Sequence, residues 1–174
     1  MRRSLSVLAI VAALLVMGAT PALAGKPTHS PSEILEPLEL PAGTACDFGI
    51  TIGSTVLSAK TSVWEGADGT VRQLDRGFTV GYAESDEGRR STHRGGYRIE
   101  FVFHPDGSVD VTGSGFLFSW YLAGDPIVGL AGPGAYVVKG HLTESYAPDG
   151  SLVAARFYGG KVVSLCDVLA PDAS

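Results

Sequence analysis

Tyr97-Arg98-Ile99-Glu100-Phe101-Val102-Phe103-His104-Pro105-Asp106-Gly107-Ser108-Val109-Asp110-Val111-Thr112 decides the fold class. Apolar residues recur at every second position on both sides of Pro105-Asp106-Gly107. That period belongs to strands with one apolar and one wet face. Asp and Gly supply the local hydrogen bond and the positive φ of a tight turn. A three-residue loop with Gly107 left-handed sets Phe103 opposite Val109 and Phe101 opposite Val111, so the apolar faces match. A two-residue loop would not match them.

The same alternation extends outward. Cys46, Phe48, Ile50 and Ile52 follow it, as do Phe78, Val80 and Tyr82. Asp68-Gly69 and Asp149-Gly150 are two further turn signals, the latter in a second Pro-Asp-Gly-Ser. The two Pro-Asp-Gly-Ser turns have unlike flanks, so they read as two hairpins and not as a repeat. Eight or nine strands are expected, near 45–52, 55–64, 70–75, 77–83, 97–104, 108–120, 135–146, 151–158 and 161–168. Residues 84–96, polar and basic, and 123–134, rich in Gly and Pro, read as irregular connections. No window after residue 42 holds a helical period. The expected fold is all-β: an antiparallel β-barrel of about eight strands, with a β-sandwich as the alternative.

The N-terminus reads as an export signal. Arg2-Arg3 precede an apolar run from Leu5 to Met17, and Ala22-Leu23-Ala24 closes it as a small-x-small cleavage site. The run falls short of the roughly 20 residues that span a bilayer. The expected division is a signal peptide over 1–24, a Pro-rich flexible leader over 25–42, one domain over 43–170, and a tail over 171–174. Cleavage removes two of the 13 Lys+Arg and none of the 18 Asp+Glu, taking the formal net charge from −5 to −7. Such a balance argues against non-specific nucleic-acid binding and against docking on anionic lipid. A secreted location with no membrane association after cleavage is expected. The chain has no Asn, which excludes N-linked glycosylation.

Cys46 and Cys166 are the two cysteines, both in the exported part where oxidation is permitted. They allow one intramolecular disulfide, against free thiols or a bridge between chains. If Cys46 lies in the first strand of a barrel and Cys166 in the last, the bond locks the seam.

The opening Pro41-Ala42-Gly43-Thr44-Ala45-Cys46-Asp47-Phe48 and the ending Gly160-Lys161-Val162-Val163-Ser164-Leu165-Cys166-Asp167-Val168-Leu169 resemble small secreted proteins of actinobacteria. The resemblance covers about residues 41–170. It implies a compact lipocalin-like or allene-oxide-cyclase-like barrel, and it carries no activity, cofactor or catalytic residue.

Four groups of side chains bear on function. Arg89, Arg90, Arg94 and Arg98, with His93, form a basic patch in an acidic chain. Arginine's planar paired donors suit an anion, while a solvated loop balancing Glu84, Asp86 and Glu87 is the plainer explanation. Phe116, Phe118, Trp120 and Tyr121 could line an apolar ligand cavity, as barrels of about eight strands allow, or simply pack a core. Lys139, His141, Thr143 and Ser145 should share one strand face, and Arg98, Glu100 and His104 another. Either face offers acid–base groups if it points inward and meets water if it does not. Thr112-Gly113-Ser114-Gly115 lacks the spacing and setting of a nucleophile elbow, so its glycines read as a bend or bulge. His29, His93, His104 and His141 show no metal-ligand spacing, and neither metal nor cofactor is expected. A secreted binder of a small apolar or amphipathic molecule is the first functional expectation. An enzyme with a polar interior and an extracellular interaction module are the alternatives.

Overall fold

The computed structural model describes residues 28–30 and 33–170. The segment read as an export signal lies outside them. Among the described residues are nine strands and one short helix: β1 (Thr28–Ser30), β2 (Glu33–Leu40), β3 (Ile50–Glu65), β4 (Val71–Ser85), β5 (Arg90–Phe103), β6 (Val109–Tyr121), β7 (Ile127–Val128), β8 (Gly134–Tyr146), β9 (Leu152–Ser164) and α1 (Leu165–Leu169). All belong to one sheet in the order β1-β3-β4-β5-β6-β8-β9-β7, with β2 also pairing β3. The six long strands form an antiparallel meander. The expected all-β class and disulfide are present, but the expected barrel closure is not. The β3 edge is taken by β1 and β2, and the β9 edge by β7, which pairs it in parallel.

The deciding hairpin has the expected register, with Phe103 opposite Val109 and Phe101 opposite Val111. Gly107 has φ 88°, and Asp106 Oδ1 accepts hydrogen bonds from Ser108 N and Oγ. The turns at Asp68-Gly69 and Asp149-Gly150 repeat these contacts with Thr70 and Ser151. Each of the three aspartates is held below the usual carboxylate range, first by its hydroxyl partner.

Other boundaries differ from the sequence reading. The 84–96 connection contracts to a turn before Arg90, and Arg90–Gly96 pairs with β4. The Pro-rich 25–42 stretch contributes β1 and β2, and Leu40 is buried. Cys46 precedes β3 instead of lying in a strand, and Cys166 sits in α1. Ser164 caps that helix by accepting from Asp167 N.

The sheet folds sharply on itself. Tyr121 is in register with Gly134, whereas Glu144 is in register with Val111, ten residues back along β6. A straight strand would separate those positions by about 33 Å. Yet Tyr121 Oη donates to Glu144 Oε1 at 2.7 Å. The fold line is a row of glycines across the strands: Gly115, Gly140 and Gly160 are successive register partners, and Gly77 on β4 lies opposite Tyr97, the partner of Gly115. Only glycine fits at Gly160, where φ is +88° and a Cβ would drive into the Lys139 carbonyl oxygen. Past this line β5 and β6 part, since their pairing stops at Tyr97–Gly115.

Two cores result, on opposite faces of β6 and β8. The first joins Ile50, Ile52 and Ala83 from β3 and β4 to Phe116 on β6, Ala135 and Val137 on β8, and Leu165 and Leu169 of α1. The second takes Leu117 and Tyr121 of β6, Tyr136, Val138 and Leu142 of β8, and Ala155 and Phe157 of β9. Ile127 and Leu130, from the connection between β6 and β8, cover it. The Cys46–Cys166 disulfide, Cα–Cα 5.3 Å, ties the lead-in to β3 to α1 at the end of the first core.

Candidate functional site

The candidate site sits at the open border of the first core, where β5 has parted from β6 and lies across β8 and β9. His93 on β5, Val137 and Lys139 on β8, and Lys161 and Val163 on β9 line a cavity of about 140 Å³. A water's share of liquid volume is about 30 Å³, so this space holds a few waters or one small ligand. Val137 and Val163 are register partners, and so are Lys139 and Lys161. The floor is therefore aliphatic and the rim carries two ammonium groups side by side. Like charges directly opposite on neighbouring strands repel. Neither lysine forms an ion pair with an acid among the described residues.

His93 forms the third side. Its ring contacts Phe116 (centroids 6.3 Å) and Phe118 (6.4 Å), and its Nε2 lies 2.8 Å from Ser91 Oγ. Burial, reinforced by the charge of Lys139, holds the imidazole below its ordinary pKa. At neutral pH it is an uncharged hydrogen-bonding group, and an anion in the cavity would favour its charged form. The arrangement suits reversible binding of one anionic head against a small apolar patch.

The aromatic run does not share one wall. Phe116 and Phe118 belong to the first core, packed over the backbone of Gly95 and Gly81. They stand behind His93 and so back the cavity. Trp120 is 36% exposed, and Tyr121 is buried in the second core on the opposite face. The arginines also separate. Arg89 Nη1 donates to the Ala170 carbonyl at the end of α1. Arg90 pairs with Glu84 and stacks on Tyr82, and it shares the outward face of β5 with Arg94 and Arg98 by alternation. The two faces named from the sequence turn out to be one: Arg98 is in register with Ser114, and Ser114 with His141. His104, at the edge of that face, lies 2.9 Å from Asp110.

A second polar group, half-buried, lies beside the second core. Glu144 accepts from Tyr121 Oη at 2.7 Å and from Tyr146 Oη at 2.8 Å. Burial, then the Glu144 charge, pushes both phenols above their ordinary range. With both oxygens engaged by donors, Glu144 serves as a structural anchor. A larger polar groove of about 330 Å³, lined by Thr51, Tyr82, Glu84 and Asp86 among others, opens at the β4–β5 turn. Among the described residues no three potential metal ligands gather, and no helix is long and apolar enough to cross a membrane.

Val137, Lys161 and Val163 are the site residues the sequence reading missed, and of these Lys161 carries the charge. Its signal was present, since Lys139 and Lys161 lie equally far from Gly150 of the Asp149-Gly150 turn. A hairpin centred there must bring them close.

No protein-family model, curated protein or solved structure matches the chain.

Proposed function

We propose that this protein is exported and acts as a non-catalytic extracellular binding protein for a small amphipathic anion, seated between His93, Lys139 and Lys161. The observation that carries the reading is the Lys139–Lys161 pair over an aliphatic floor, with no acid among the described residues paired to either lysine. Two adjacent ammonium groups repel until an anion lies between them, so the bound state relieves a cost built into the free one. Val137 and Val163 offer contact to a short apolar tail. The disulfide fits an oxidising compartment and supports export.

Export is tested by sequencing the mature protein from culture medium, where a start at Gly25 is expected. Binding is tested by native mass spectrometry of that protein, then by titrating a short alkanoate against the alcohol of equal length. The carboxylate should bind and the alcohol should not. Lys139→Glu should weaken the carboxylate at least tenfold. Equal binding of both compounds, or no effect of Lys139→Glu, would sink the reading.

A further inference from the structure

One row of side chains crosses all six long strands. Lys60 on β3 is in register with Arg76 on β4, Arg76 with Arg98 on β5, and Arg98 with Ser114 on β6; Ser114 is in register with His141 on β8, and His141 with Tyr158 on β9. Register partners in an antiparallel pair point to the same face, so the six side chains stand in a line. That face is the one opposite the second core, and for β6, β8 and β9 it is the outside of the glycine fold. Neighbouring strands lie about 4.8 Å apart, so five steps make a track of about 24 Å. Arg76, Arg98, His141 and Tyr158 are exposed and the other two half-exposed.

The first half of the track holds three cations directly opposite one another. Such neighbours destabilise a sheet. Among the described residues the one acid within ion-pair distance of them is Glu100, which lies 3.8 Å from Arg98 and also pairs with Arg72. The other half ends in an aromatic platform: Tyr158 is 47% exposed, and His141 stacks on it with centroids 5.4 Å apart and planes 14° apart.

We propose that this track binds a linear acidic polysaccharide, a chain of sugar rings carrying about one carboxylate per ring. The complementarity has three parts. Cations at strand spacing meet carboxylates at sugar spacing, with the arginines offering paired donors. Tyr158 presents a flat apolar surface with a polar tip to the face of a sugar ring. Ser114 bridges the two with a hydroxyl that both donates and accepts. A nucleic acid fits less well, because its denser charge would meet a formally acidic molecule beyond the three cations. This proposal stands apart from the small-anion cavity, which uses none of these six residues.

The test is affinity electrophoresis of the full protein in gels containing polygalacturonate, dextran or single-stranded DNA. Polygalacturonate should retard the protein, less so as salt rises, and dextran should not. Arg76→Glu with Arg98→Glu should weaken retardation at least tenfold, and Tyr158→Ala several-fold. A thermal scan keeps the test clean: Arg76→Glu should melt no lower than wild type, because it removes repulsion. No retardation by polygalacturonate at low salt would overturn the proposal, as would retardation indifferent to the two arginine substitutions. Equal retardation by DNA would overturn the polysaccharide assignment in favour of charge alone.

Discussion

His93 and Glu144 illustrate two ways a single ionisable residue serves this chain. His93 is held below its ordinary pKa of about 6.5 by burial. The unfolded chain therefore binds a proton that the folded one refuses, and stability rises with pH across that interval. The fold should be most stable above about pH 6.5 and weaken as pH falls through the folded-state value. His93→Phe should flatten this acid limb in denaturant titrations followed from pH 7 to 5, and an unchanged limb would place its cause elsewhere. Anion binding runs the opposite way, because an anion beside Lys139 favours the imidazolium. Carboxylate affinity should therefore tighten over the same fall in pH, with proton uptake visible by calorimetry in two buffers. Glu144 acts as the shared acceptor of Tyr121 and Tyr146. Tyr121→Phe removes a partly buried hydrogen bond to a charged group, a loss of about 1.5–3 kcal/mol by chemical denaturation. Both phenols are raised, so the protein should also lose stability above about pH 10, where only the unfolded chain ionises.

At the scale of strands and turns, the glycine line decides the architecture. Gly160→Ala forces a side chain into left-handed backbone and against the Lys139 carbonyl. The strain alone is of order 1–3 kcal/mol. Gly159→Ala, where a Cβ would meet open space, keeps the backbone strain and omits the collision. Gly160→Ala should therefore be the more damaging of the two in thermal scans, and the reverse order would refute the close-approach argument. The same line shows what the sequence could and could not disclose. The hairpin around Asp106-Gly107 was legible because strand period and turn chemistry agreed. Arg90–Gly96 was not, because its inward residues are Ser91, His93 and Gly95, too polar or too small to mark a period of two. Gly159-Gly160 read as a break between strands because two glycines signal a turn, whereas here they bend one continuous strand. Cys166 alternated with Ser164 and Val168 as a strand would, but Ser164 and Asp167 are spaced as a helix cap with its acidic third position, and the cap prevails. Even the cation track was partly legible: Lys60 and Arg76 are equidistant from Asp68, as Arg98 and Ser114 are from Asp106.

For the molecule as a whole, one covalent bond substitutes for barrel closure. The open sheet has β1 and β2 at one edge and β7 at the other, so no hydrogen-bonded seam joins its ends. The Cys46–Cys166 bond joins them instead, across a sequence separation of 120. A loop of that length gives about 4–5 kcal/mol in the chain-entropy model, an upper figure because measured values often fall short. For a chain of this size each kcal/mol moves the melting temperature by about 2–4 °C. Reduction, or Cys46→Ser with Cys166→Ser, should therefore lower it by roughly 10 °C. The loss should not fall evenly. The first core takes Cys46, Leu165 and Leu169 directly, whereas the second is closed by the glycine fold and the β6–β8 connection. Hydrogen exchange on the reduced protein should speed up first in the amides of α1 and the start of β3, with the β8 amides around Leu142 protected longer. Uniform loss of protection would show instead that the two cores fold as one cooperative unit and that the disulfide supports both.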